Sequence, residues 1–163
     1  MLIRNIACSA ALVFAFAQAT LAQSAQVAFG GLKGDTTAPV EVNADTLTVD
    51  QTAGTAVFSG NVVVTQDTMK LSADEVRTVY GADKTSIETL YATGNVLLVN
   101  ATDAAQGDNA VYTIASGEVV MTGNVLLTQG QTAMSAEKLV IDLKTGMGRM
   151  DGRVKTTFVP GKK

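Results

Sequence analysis

The sequence has no histidine and no tryptophan, a single cysteine, and only two prolines. Without histidine, and with its one cysteine confined to position 8, the common catalytic triads, nucleophile dyads and zinc sites cannot be assembled. Carboxylate or lysine chemistry remains, but no motif supports it, and Gly-rich phosphate loops are missing too. An enzyme is therefore not expected, nor is a cofactor or a bound metal. Twelve basic residues stand against fifteen acidic ones, a formal charge of −3, with no basic run of the kind that nucleic-acid phosphates demand. No nucleic-acid partner is expected. Aromatics are scarce as well, with five Phe and three Tyr, so an interior has to be filled mainly by Val, Leu, Ile and Met.

Long apolar runs are confined to the N-terminus. Arg4 supplies a positive region, Ile6 to Phe16 an apolar stretch broken only by Ser9, and Gln18 to Ala22 a zone of small residues. Residues 1–22 thus read as a secretory signal peptide, with cleavage after Ala22, or alternatively after Ala19. The apolar stretch falls short of the roughly 20 residues that a spanning helix needs. Cys8 lies inside this signal, so the exported chain is expected to hold together by strand pairing and burial rather than by disulfides. Residues 23–38 are small and polar without a period and read as a flexible leader. Pro39 closes it, residues 39–159 form one domain's worth of patterned sequence, and 160–163 are a tail.

What the sequence does have is a repeat. Phe58-Ser59-Gly60-Asn61-Val62-Val63-Val64-Thr65-Gln66 returns as Gly94-Asn95-Val96-Leu97-Leu98-Val99, as Gly123-Asn124-Val125-Leu126-Leu127-Thr128-Gln129 and, degraded, as Gly152-Arg153-Val154, at spacings of 34, 29 and 29 residues. A second word keeps register with it: Ala44-Asp45-Thr46-Leu47, Ala73-Asp74-Glu75-Val76, Gly107-Asp108-Asn109-Ala110 and Ala136-Glu137-Lys138-Leu139. A fixed period of this size marks units that bury their apolar faces against one another.

Within the words the period is two, which is the period of a strand. One parity holds Ala56, Phe58, Val62 and Val64, then Leu90, Ala92, Val96 and Leu98, then Val119, Met121, Val125 and Leu127. The second word adds Leu47, Val49, Val76, Tyr112, Leu139 and Ile141 to the same side, while the opposite parity is mixed and wettable. Gly54, Gly117 and Gly146 each precede the next Gly of the word by six residues and suit tight turns; the 34-residue unit carries a longer loop near 81–86 instead. The fold class is all-β, with repeated short antiparallel strands making a curled sheet around an aliphatic interior that is either packed shut or open as a trough.

The recurring acids Asp45, Asp74, Asp108 and Glu137 share the aliphatic parity in a straight strand, where burial would cost several kcal/mol. The expectation is that each sits at the turn before its strand and accepts backbone N–H bonds. Gly followed by Asn tolerates positive φ and is expected to make a register-setting bulge or turn. Asn100-Ala101-Thr102 formally matches a glycosylation acceptor.

Export signal, Gly-Asn-Val repeats and Ala-Asp-x-Leu words together resemble the OstA-like family of periplasmic lipopolysaccharide-transport proteins of Gram-negative bacteria, over roughly Val40 to Val159. The resemblance implies an open β-jellyroll whose hydrophobic interior takes lipid acyl chains during outer-membrane assembly. By that likeness the lipid-binding residues are Leu47, Val49, Phe58, Val62, Val64, Val76, Val96, Leu98, Tyr112, Met121, Val125, Leu127, Leu139 and Ile141. It further implies a periplasmic location and lipopolysaccharide as ligand. The implied protein partners are an LptC-like inner-membrane protein, the N-terminal domain of an LptD-like outer-membrane protein, and further copies of the chain joined head to tail through the strands near Val40 to Val49 and Arg153 to Val159. The absence of a spanning helix after the signal and of a large C-terminal barrel favours the soluble bridging member. The alternative is a structural or adaptor β-repeat protein of the envelope with a closed core and no lipid.

Overall fold

The computed structural model of the chain describes residues 26–28 and 30–158. The expected signal peptide, its cleavage site and the tail lie outside the described residues. Among the described residues the chain is all-β apart from one 3-10 turn, Gly30–Leu32. The strands are β1 (Gln26–Ala28), β2 (Glu41–Asn43), β3 (Thr46–Asp50), β4 (Thr55–Gln66), β5 (Met69–Tyr80), β6 (Ile87–Asn100), β7 (Asp103–Thr113), β8 (Glu118–Gln129), β9 (Thr132–Asp142), β10 (Met147–Asp151) and β11 (Lys155–Thr157). They form one antiparallel sheet in the order β1-β10-β9-β8-β7-β6-β5-β4-β2, with β3 beside β2 on β4 and β11 beside β10 on β9.

The turns follow from local chemistry. Gly54, Gly117 and Gly146 adopt φ of 63°, 73° and 70° at the ends of their turns, a region open to glycine. Asp50 accepts the N–H groups of Thr52 and Ala53, and Asp142 those of Lys144 and Thr145, so both hairpins are nucleated by the aspartate's own side chain. The longer loop falls at 81–86, between β5 and β6. There the Ser86 hydroxyl and the Thr85 and Ser86 N–H groups all donate to Asp83, which holds its carboxyl well below the usual carboxylate range.

The Gly-Asn word marks a crease that crosses every central strand. Register shifts fall between Ser59 and Val62, Ser72 and Glu75, Thr93 and Val96, Gln106 and Asn109, and Thr122 and Val125. At each crease a Gly with φ near +80° is followed by a second left-handed residue: Asn61, Asn95 and Asn124 at 47°, and Arg153 at 43°. Two residues thus face one on the partner strand, which is a β-bulge, and the strand bends there. The six central words thus lie in bent strands of 11 to 14 residues, β4 to β9, while the Asp45 and Gly152 words fall at the breaks between β2 and β3 and between β10 and β11.

The recurring acids sit in this crease, not at turns ahead of their strands, and the expectation for them is corrected. Asp74, Asp108 and Glu137 lie within β5, β7 and β9, and only Asp45 lies between strands. Their carboxylates accept the side-chain amide of the neighbouring asparagine: Asn61 Nδ2 to Asp45 at 2.8 Å, Asn95 to Asp74 at 2.8 Å and Asn124 to Asp108 at 2.9 Å. In the fourth copy Arg153 Nε donates to Glu137 at 2.9 Å, so the degraded word keeps the clasp with a different pair. The acid leans over the glycine so closely that a Cβ on Gly60 would lie 2.6 Å from Asp45 Oδ2. The bulge also removes the cost of a buried charge. In the acid-bearing strands the inward positions step by three, Ala73 to Val76 and Ala136 to Leu139, which leaves the acid outside.

Bending along the crease makes two half-sheets that face each other. One holds β3, β10 and the halves of the central strands that include Phe58, Val76, Ala92, Tyr112, Met121 and Leu139; the other holds β2, β11 and the halves with Val62, Leu71, Leu98, Ala105, Leu127 and Met134. Their inward side chains form a single apolar cluster.

Candidate functional site

The aliphatic parity of the sequence is the inner face of the folded sheet. Over the centre it is shut off from solvent: Val62, Val76, Leu98, Met121, Leu127, Leu139 and Ile141 are 0% exposed, and Val64, Val96, Tyr112 and Val125 no more than 2%. Phe58 is half-buried against the same cluster. Leu47 and Val49 are the exceptions. They lie on the inner face, paired with Phe58 and Ala56, yet are 54% and 56% exposed. At β3, then, the lining runs out uncovered towards one end of the molecule, beside a cleft that Val49 shares with Thr55, Tyr80 and Lys84. At the other end Val154 and Phe158 are exposed.

Opposite the crease the half-sheets end in turns, and the mouth between them is polar. Gln66, Asn100 and Asp103 are buried there. Tyr112 reaches across from the facing half-sheet and donates its hydroxyl to Gln66 Oε1 at 2.6 Å. Burial of that phenol pushes its pKa up, to about 12, against the opposing effect of the Gln66 hydrogen bond. Gln129 Nε2 donates to Asp103 at 3.0 Å.

A strap, residues 31–38, closes this mouth. Leu32 is fully buried in the apolar cluster. The Lys33 carbonyl accepts Asn100 Nδ2 at 2.8 Å, and the Thr36 and Ala38 carbonyls accept Gln66 Nε2 at 3.1 and 2.9 Å. On the other half-sheet Gly34 N–H donates to the Leu143 carbonyl at 3.0 Å. The expectation of a flexible leader over 23–38 is corrected for these residues: composition gave no period because the strap is held by backbone carbonyls and one leucine rather than by a strand pattern. Asn100, the formal glycosylation acceptor, is 1% exposed with its amide nitrogen engaged by Lys33, so it offers no accessible nitrogen.

Residues 41–147 match the family described as LptA/(LptD N-terminal domain) LPS transport protein. The chain belongs to that family. The match covers β2 to β9 and the first residue of β10, and so takes in the central strands around the interior, while β1, the rest of β10 and β11 lie outside it. The family is one of transport proteins, not of enzymes. A lipopolysaccharide export system protein LptA of Escherichia coli K12 is 42% identical over 43 residues, 26% of this chain and 23% of that protein. That match therefore spans about a quarter of the relative. A protein of Rhizobium meliloti is 28% identical over 112 residues, 64% of this chain and 60% of its own length. In structure the chain resembles the crystal structure of LptH, the LptA-homologous periplasmic component of the lipopolysaccharide transport device of Pseudomonas aeruginosa. The TM-score is 0.68 at 22% identity, over 76% of this chain and 96% of that one. The shared fold is the OstA-like open β-jellyroll.

Within this LptA/LptD N-terminal fold, the fourteen residues expected to line the interior are all on its inner face, twelve covered by the opposing half-sheet or packed against it and two, Leu47 and Val49, uncovered. Leu32, Gln66, Asn100, Asp103 and Gln129 were not among them. A signal for three of these was present: Gln66, Asn100 and Gln129 each stand six residues after the Gly of the repeat word. Of the basic residues near the C-terminus, Arg149 is paired with Asp151 at 3.0 Å and Arg153 with Glu137.

Proposed function

We propose that the protein carries lipopolysaccharide through the periplasm, with acyl chains held between the two half-sheets on the inner-face residues named above. The observation that carries this reading is the single apolar cluster running from β4 to β10, in a member of this family, with Leu47 and Val49 of β3 in line with it through their pairing with Phe58 and Ala56. Burying a methylene contributes about 0.8 kcal/mol, so a twelve-carbon chain gains on the order of 10 kcal/mol on leaving water. Such a chain crosses an aqueous compartment only if covered, and a lining shared between molecules lets it advance without returning to water.

Because the central lining is closed, acyl chains enter by parting the half-sheets about the crease, starting from the end where Leu47 and Val49 are uncovered. The bulges suit this motion, since they already interrupt the ladder along one line. Export by the signal peptide 1–22 delivers the chain to the periplasm. Among the described residues β2 and β3 pair only with β4 and β11 only with β9, so their outer edges present backbone groups of the kind that strand addition uses. They support head-to-tail self-association and docking to an LptC-like inner-membrane protein and the N-terminal domain of an LptD-like outer-membrane protein. Native mass spectrometry of the purified protein tests the reading: bound lipopolysaccharide is expected, and its loss with polar substitutions at Val96 or Leu127 in variants that keep their sheet. A protein that never takes up lipid under loading conditions overturns it.

A second reading is favoured by the near-zero exposure of the central lining: an envelope scaffold with a permanently closed core. It is distinguished by concentration-dependent assembly without lipid uptake.

A further inference from the structure

We propose that the strap is an internal stand-in for an acylated ligand, and that the amides of Gln66, Asn100 and Gln129 form a subsite for that ligand's amide or ester groups once the strap is displaced; this rests on the lipid-carrying function above. The strap places a branched hydrocarbon, Leu32, inside the apolar cluster, and presents the carbonyls of Lys33, Thr36 and Ala38 to side-chain amides at the rim. Hydrocarbon inside with C=O groups at the lip is the arrangement that an N-acyl or O-acyl sugar presents to a trough.

Three features separate this mouth from ordinary loop packing. The amides recur at one position of the repeat, in three successive copies, although the strap contacts only two of them directly and the third, Gln129, holds the buried Asp103. Asn100 Oδ1 is buried with no hydrogen-bond partner among the described residues, a cost that a ligand N–H or hydroxyl would remove. The strap also forms no strand: its backbone N–H bond to the facing half-sheet is from Gly34 to the Leu143 carbonyl. Its release leaves the sheet's own ladder intact. Leu32 and an acyl chain compete for the same volume, so the mouth opens as lipid loads and recloses as lipid leaves, keeping the empty interior from water.

The test is a reversible lock. Gly31 sits against Asp103 so closely that an added Cβ would lie 2.6 Å from the Asp103 Cγ, which suits a Gly31→Cys/Asp103→Cys disulfide in a Cys8→Ser background. Binding of fluorescently labelled lipopolysaccharide is measured oxidised and reduced. The oxidised form is expected to bind at least ten-fold more weakly than the reduced form, and Leu32→Ala several-fold more tightly than wild type. Adding Asn100→Ala to Leu32→Ala is expected to weaken binding about five-fold, because the strap no longer confounds the contact. Hydrogen exchange at Gly34 should quicken when lipopolysaccharide is added to the wild-type protein. Equal binding in oxidised and reduced forms, with Leu32→Ala unchanged, overturns the stand-in. An unaffected Leu32→Ala/Asn100→Ala double variant overturns the amide subsite. If wild-type protein binds no lipopolysaccharide, the lipid-carrying function falls and this inference falls with it.

Discussion

The middle of the molecule and its two ends use the same inward residue types to opposite effect. In β5 to β9 each inward aliphatic is covered by the facing half-sheet, and Leu98 and Leu127 are fully buried. At the ends the strands are short, five residues in β3 and three in β11, and nothing among the described residues covers Leu47 or Val49. The lesson is that parity decides which face a side chain joins, whereas neighbours decide whether it is buried. The uncovered ends are places where a ligand or another chain finds apolar surface already aligned with the interior.

The largest effect separates the two regions directly. Leu98→Asp puts an uncompensated charge in the closed centre and is expected to cost more than about 4 kcal/mol, a large share of a domain's stability. Leu47→Asp, on the same face but exposed, is expected to change stability by no more than about 0.5 kcal/mol while impairing lipid uptake. Denaturant unfolding of the two variants measures both. Next is the crease. Gly94 has φ +78° and the Asp74 carboxylate pressed against it, while Gly130 has φ +55° and open space where a Cβ would go. Gly94→Ala is expected to cost about 1–3 kcal/mol from backbone strain before Asp74 is displaced, and Gly130→Ala only about 1 kcal/mol. Equal costs in thermal unfolding would remove the acid from the explanation.

The mouth supplies a pH-dependent contrast. The Tyr112 phenol has a pKa raised to about 12 from a usual 10 by burial, so the folded state holds the proton more tightly than the unfolded state. Its contribution is fully present below pH 10 and is lost as pH rises from 10 towards 12. Tyr112→Phe is expected to flatten that part of the decline and to cost about 1 kcal/mol at neutral pH, because Gln66 Oε1 loses its donor. Unfolding midpoints recorded across this pH range check both parts. The smallest effect concerns the fourth clasp, where Arg153 and Glu137 are 89% and 59% exposed. Converting the pair by Arg153→Asn/Glu137→Asp is expected to leave stability within about 0.5 kcal/mol; a larger change would mean that this end differs from the central copies in more than its clasp.

Much of the fold was legible because its signals are periodic. Residues such as Val62, Val64, Val125 and Leu127 announce an inner face two at a time, and Gly54, Gly117 and Gly146 announce turns. Asp74 and its counterparts were misplaced because straight-strand parity takes no account of a bulge, which shifts the register by one and turns the acid outwards. The strap was missed for another reason. Leu32 is a lone aliphatic in a polar stretch, and its partners Gln66 and Asn100 act through backbone carbonyls, which leave no trace in composition. The amide position in the first three copies of the repeat was visible, but only alignment six residues beyond the glycine reveals it.

Capture of lipid at Phe58 tests the central claim most directly. This residue is aromatic, half-buried and inward, next to outward Val57, so a benzoyl-phenylalanine is tolerated at either position. With lipopolysaccharide present, irradiation is expected to give a covalent lipid adduct at position 58 and none at 57. No adduct at 58, or equal adducts at both, would contradict an interior that carries lipid.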